Sequence, residues 1–393
     1  MQADTCIFCD DWRLAARDRL LAKGELKRRL DGHADFIRSE RDLLAQKRHR
    51  CIRNQWKSMA IDIVGSGKLP GIPYFQGNSG SSGIRTHMEV VQVTGSPDKA
   101  SVFLVPEDIR VDANLTVEVL HRTLKNEERL RNGRLPKTLY LHFHDNNRTD
   151  TYVLSYLFHL AERYVFDSIF VSFLPIGHTQ LGADLPHRIG RAVKQSDIHT
   201  LEDLVECVQR TPAHVEAVND VADWAALMNP TRSVPFNNAR VRQARGLHAL
   251  RPCVVPSMAD FVGKTSLLHI KISRDRNGHV VYQDKQIMAV PEWTNTWYPW
   301  GLERNICSAS LHSLQVAGST PLSEERKTDV TQLLDYCEAF LPERANDLLK
   351  EALQRISTPR PSHGNLHWAN NGKFLCEFKV VDPKQQASSP SSS

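Results

Sequence analysis

Residues 56–194 alternate between short apolar runs and amphipathic stretches, in an order that few folds accept. The runs "WKSMAIDIVGS" (56–66), "THMEVVQVTG" (86–95) and "ASVFLVPE" (100–107) are rich in β-branched residues. Turn-forming segments separate them, "GNSGSSG" (77–83) and Ser96-Pro97-Asp98. They predict three successive strands, the first ending in a Gly/Ser turn. "NLTVEVLHRTLKNEERLRNG" (114–133) carries Leu115, Val119, Leu120 and Leu130 and stops at Asn-Gly, the pattern of a helix with a C-terminal stop. "TLYLHFHD" (138–145) reads as a strand, "TYVLSYLFHLAERYV" (151–165) as an apolar helix and "SIFVSFLP" (168–175) as another strand. A further helix carries Asp184.

Three strands in succession can form an antiparallel meander, and strands separated by helices extend such a sheet in parallel. The expected fold class is therefore α/β, a ribonuclease-H-like mixed sheet with flanking helices. A helical, polar N-terminal region occupies 1–55 and the core 56–212. A mixed α+β C-terminal region follows over 213–358, then a mostly disordered tail over 359–393. In the C-terminal region, "LLHIKISRDRNGHVVYQDKQIMAV" (267–290) predicts a hairpin turning at Asn277-Gly278. "SEERKTDVTQLLDYCEAF" (323–340) predicts a helix with Ser323 at its start and Glu324 and Glu325 in its first turn. The tail "DPKQQASSPSSS" is low-complexity.

Acids fall at telling places on these strands. Asp62 lies between Ile61 and Ile63, so alternation turns it to the opposite face from both. An acid flanked by apolar residues in a central strand needs a partner. Asp145 ends the fourth strand and Asp184 opens the helix after the fifth. With the first and fourth strands adjacent, the three carboxylates can converge. Clustered carboxylates repel one another, and a divalent cation removes that penalty. Oxygen ligands suit two Mg²⁺ or Mn²⁺ ions, the arrangement that clamps both oxygens of an in-line phosphoryl displacement. Plainer roles exist for two of them. Asp184 before Leu185-Pro186 is also a good helix N-cap, and Asp145-Asn146-Asn147 a good turn.

These residues resemble the eukaryotic DDE-type transposase-like family with a ribonuclease-H-like core. "AIDIVGSGKLPGIP" (60–73) is similar to the family's first aspartate strand, and "HFHDNNRTDTYVLSYLFHL" (142–160) to its second-aspartate strand end and helix. "VSFLPIGHTQLGADLPHRIGRAV" (171–193) is similar to its block with Gly-His-Thr and a spaced aspartate, the most specific of the three. Upstream, "TCIFCDDW" and "ELKRRLDGHADFIRSER" (25–41) look like a Cys-x-x-Cys, helix and histidine lead-in. The resemblance covers roughly residues 5–210. It departs at Arg148-Thr149-Asp150, at the neutral Gln180-Leu181-Gly182 and at Pro186. It implies Asp62, Asp145 and Asp184 as catalytic metal-binding acids, with His178 beside them to bond a phosphate oxygen or position the third acid. His178 bonded to backbone at a strand end is the other reading. Cys6, Cys9 and His33 are implied as a Zn²⁺ set, with His49 or Cys51 as the candidate fourth ligand. DNA is the implied partner, and a homo-oligomer is compatible with the family.

The remaining features constrain function less. A net charge of +5 permits a polyanion partner without requiring one. Within 1–55, thirteen Lys/Arg stand against nine Asp/Glu, a mixture that describes a solvated helix as well as a phosphate grip. Trp293, Trp297, Tyr298 and Trp300 crowd "EWTNTWYPWG" (292–301), a cluster that suits a core corner or protein contact better than base stacking. No run approaches the ~18 apolar residues of a membrane span, and "MQADTCIFCDDW" is not a signal peptide. The expectation is a nuclear or nucleocytoplasmic protein with reduced cysteines and no membrane partner. Two functions follow. One is a DDE transposase or integrase-like nuclease that cleaves and transfers DNA phosphodiesters with Mg²⁺ or Mn²⁺, either active or degenerate. The alternative is a non-catalytic, transposon-derived DNA- or protein-binding protein.

Overall fold

The structure is a computed structural model that describes residues 12–15, 17–18, 23–54, 57–76, 83–96, 100–143, 151–173, 184–224, 269–276, 278, 280–285, 292–293, 296–297, 317 and 319–359. Its centre is a nine-stranded mixed sheet in the order β6-β3-β2-β1-β4-β5-β7-β8-β9. The strands are β1 (Ser58–Lys68), β2 (Thr86–Thr94), β3 (Ala100–Pro106), β4 (Thr138–Phe143), β5 (Ser168–Phe173), β6 (His214–Ala217), β7 (His269–Arg274), β8 (Val280–Lys285) and β9 (Thr296–Trp297). The pairs β1/β2 and β2/β3 are antiparallel, and β1/β4 and β4/β5 are parallel. The meander with parallel extension expected from the element order is present. One detail differs. β1 does not stop at its Gly/Ser segment but continues to Lys68, with a register shift between Ile63 and Gly65. A bulge there lets the glycines stay in the ladder while the strand bends.

The helices among the described residues are α1 (Lys23–Arg53), α2 (Ala113–Leu130), α3 (Thr151–Glu162), α4 (Asp184–Lys194), α5 (Leu201–Gln209), α6 (Glu324–Cys337) and α7 (Glu343–Ser357). Asp112 caps α2, its carboxylate accepting from the backbone N–H of Asn114 at 2.9 Å and of Leu115 at 3.3 Å. The same helix ends as Asn132 and Gly133 take positive φ, and the Gly133 N–H donates to the Glu128 carbonyl at 2.7 Å. Ser323 caps α6, as its position in the sequence predicts.

Alternation gives the sheet two unlike faces. Met59, Ile61, Ile63, Leu139, Leu141, Ile169, Val171, Ile270 and Ile272 turn toward α2 and α3, and this core is continuous and apolar. The other face is divided. Over β2 and β3, Met88, Val90, Val102 and Leu104 join a second apolar core with α4, α5, α6 and α7. α1 lies against β1 and reaches β4 through Lys47 and Tyr140 and β7 through Glu40 and His269, and on this face Asp62, His142, Ser172 and His269 are buried.

Both sheet edges are completed from beyond residue 212. β6 adds in parallel to β3, while β7 adds antiparallel to β5, β8 antiparallel to β7 and β9 antiparallel to β8. Gly278, at φ 83°, stands in the β7–β8 turn.

Candidate functional site

The parallel register of β1 and β4 pairs Asp62 with His142. The pairings of β4 with β5, β5 with β7 and β7 with β8 continue that line through Ser172 and His269 to Lys285. Asp62, His142, Ser172, His269 and Lys285 thus form one polar rung across five strands. Neighbouring strands lie ~4.8 Å apart, so the rung is about 19 Å long. Asp62, His142 and His269 are each 1% exposed and Ser172 is 2%.

α1 supplies the partners. Its contacts with the sheet include a narrow apolar stripe of Ile37, Leu44 and Cys51, with one residue every seven. Charged residues stand between them. Glu40 is fully buried and its Oε2 lies 3.2 Å from His269 Nε2. Burial holds the His269 ring below the usual histidine range, opposed by its bond to Glu40. Arg48 Nη2 donates to Asp62 Oδ1 at 2.6 Å. The Asp62 side chain is 2% exposed and that of Arg48 21%. Lys47 stands 5.5 Å from the centre of the Tyr140 ring, and burial lowers its ammonium to a pKa of about 8. The partner that a buried Asp62 requires is thus supplied in part by an arginine.

Asp145 and His178 lie outside the described residues. β4 ends at Phe143, shortly before Asp145, and β5 ends at Phe173, shortly before His178. Asp184 is the first residue of α4. Asp62 is a hard oxygen donor of the kind that Mg²⁺ or Mn²⁺ takes, but in this structure its charge is met by Arg48. Among the described residues no group of three or more His, Cys, Asp or Glu stands close enough to hold a metal ion. Cys6 and Cys9, expected with His33 to hold zinc, also lie outside the described residues. His33 is half-buried on α1 and meets Trp12 edge-on at 5.6 Å between ring centres.

α4 carries a second feature. Leu185, Ile189 and Val193 are buried, whereas His187, Arg188, Arg191 and Lys194 are exposed on the opposite face. Among the described residues Arg188, Arg191 and Lys194 make no ion pair, and together they give this face a positive charge. Of the tryptophan cluster, the ring contacts of Trp293 are described, and they lie within the chain. Trp293 lies 6.0 Å from the Phe170 ring, with Lys285 Nζ 4.8 Å above it.

Sequence reasoning missed Arg48, Glu40, His142 and His269. The signal for α1 was present in the seven-residue spacing of Ile37, Leu44 and Cys51, but the charges between them made the segment look solvated. His142 and His269 become legible only once the strand register is known.

These features define a mixed α/β protein with a polar seam between one helix and the middle of its sheet. Residues 76–289, more than half of the chain, match the family described as Domain of unknown function (DUF7869), and the chain belongs to that family. No curated protein matches the chain, and no solved structure does. Among the described residues no helix is long and apolar enough to cross a membrane.

Proposed function

We propose that this chain is a DDE-type nuclease or strand transferase with a ribonuclease-H-like core, acting on DNA. The observation that carries the reading is the strand order β3-β2-β1-β4-β5 with Asp62 buried in the middle of β1 and directly beside β4. That order brings the ends of β4 and β5, which lead into Asp145 and into the segment of His178 and Asp184, to the same end of the sheet. Asp62, Asp145 and Asp184 would hold two Mg²⁺ or Mn²⁺ ions. When bound, such ions lower the pKa of an attacking water or 3′-hydroxyl and stabilise the leaving oxygen. The chain's own part is to fix the carboxylates on rigid elements and, through His178, to bond a phosphate oxygen. The exposed basic face of α4 supports a phosphate backbone as the ligand, since exposed cations neutralise phosphates and release their counterions.

The Arg48–Asp62 pair favours a second reading, a non-catalytic DNA- or protein-binding protein on the same fold, because Asp62 already has a counter-charge. Nicking of supercoiled plasmid in Mg²⁺ or Mn²⁺ separates the two. The catalytic reading expects nicking by the wild type and background levels from Asp62→Asn. Equal, background-level signals from both proteins would leave only the binding role.

A further inference from the structure

Arg48 reaches Asp62 from a helix that lies outside the meander and its parallel extension, and both residues precede the family segment of residues 76–289. The contact is short, 2.6 Å, and the carboxylate it neutralises is almost fully buried. A divalent ion bound to the same carboxylate would stand roughly 4–5 Å from the guanidinium, given metal–oxygen distances of ~2.1 Å. Two cations that close on one carboxylate repel each other strongly in a buried setting. Arg48 also has somewhere to go. Its side chain is 21% exposed, which leaves the guanidinium a path to water.

We infer that Arg48 is a built-in competitor for the divalent metal at Asp62, holding the metal-free site neutral and yielding when the metal binds. The inference rests on the reading of Asp62 as a metal ligand. It makes α1 a regulatory element, because whatever draws Arg48 away from the sheet raises the affinity of the site for its ions. A polyanion is one such agent, since Arg50 and Arg53 are exposed on the same end of α1.

The test is Mn²⁺ binding to the full chain by calorimetry or electron paramagnetic resonance, for wild type, Arg48→Gln and Asp62→Asn, with thermal melts in EDTA and in Mn²⁺. Competition predicts that Arg48→Gln binds Mn²⁺ about tenfold more tightly than wild type, within the usual range of linked equilibria. It also predicts a lower melting temperature for Arg48→Gln in EDTA and a larger upward shift on adding Mn²⁺. Asp62→Asn should lose the site. Equal or weaker binding by Arg48→Gln, with Asp62→Asn still abolishing the site, would overturn the competition and leave the nuclease reading standing. Absence of Asp62-dependent binding in both wild type and Arg48→Gln would remove the metal site and the competition with it. If Arg48→Gln does not fold, Arg48→Lys replaces it. Its shorter, single-point donor is expected to give an intermediate gain, and unchanged affinity would count against the inference.

Discussion

The buried histidines set how the protein responds to acid. His121 is 2% exposed and His159 4%. Burial is the main cause of their low pKa values, about 3 and about 4, with nearby cations adding to it. Both rings are therefore neutral in the fold, and the unfolded chain binds the extra protons below the ordinary histidine value. Stability is then complete above about pH 6.5 and is lost as pH falls toward 4. At pH 5 each ring accounts for about 2 kcal/mol of that loss, at 1.36 kcal/mol per unit of displaced pKa. Thermal melts between pH 7.5 and pH 4.5 should show a steep decline. His159→Phe, which removes one proton site without adding a polar group, should flatten it, and an unchanged slope would exclude His159 as a source. His121 is the less suitable probe, since its Nδ1 meets the Tyr156 hydroxyl at 2.8 Å and any replacement disturbs that contact as well.

Helices on this sheet differ in what holds them. α2 and α3 bury continuous apolar faces, and each fully buried Leu, Ile or Val contributes about 1.5–3 kcal/mol. α1 relies on Ile37, Leu44 and Cys51 with charge pairs between, and such pairs contribute little net stability once desolvation is counted. Amide hydrogen exchange should therefore show α1 opening in a separate, lower-energy step than α2 and α3. Equal protection across the three helices would contradict this. α4 invites a different measurement. Replacing Arg188, Arg191 and Lys194 by alanine should weaken DNA binding and flatten its salt dependence by about 0.9 in log–log slope per lost phosphate contact. An unchanged slope would mean that the nucleic acid, if bound at all, lies elsewhere. The contrast also explains what was legible in the sequence. The elements from β1 to α4 announced themselves because the strands are short apolar runs bounded by turn residues and α2 spaces Leu115, Val119 and Leu120 at helical intervals. Asp62 stood out for the same reason, as an acid breaking an apolar run. Its arginine did not, because an interleaved charge on a helix looks the same whether it faces water or a buried carboxylate.

At the scale of the whole molecule, the element order suggested a core closing near residue 212, whereas a single sheet draws strands from both sides of that point. Local pattern cannot reveal such dependence, since β6 and β7 pair with strands far away in sequence. The dependence is testable by truncation. A chain ending at 212 loses β6 from the β3 edge and β7 from the β5 edge, exposing two rows of unpaired backbone groups. It also loses Trp224, which is fully buried and whose indole N–H donates to Glu118 Oε2 at 2.7 Å. Glu118, itself fully buried, would keep Arg122 at 2.7 Å but forfeit the indole and the Ala222 N–H at 3.1 Å. Arg122 would lose its own contacts with Glu216 and the Asp220 carbonyl. α6 and α7 would be removed from the second core, uncovering Met88, Val90 and Val102. The expected outcome is an insoluble or molten product. A chain ending at 359, after the close of α7 at Ser357, keeps every one of these contacts and should melt within a few degrees of the full chain. Size-exclusion chromatography and thermal melts of the two truncations decide the matter. A monomeric 1–212 fragment with a cooperative transition would show that the core is closed without its late-arriving edges.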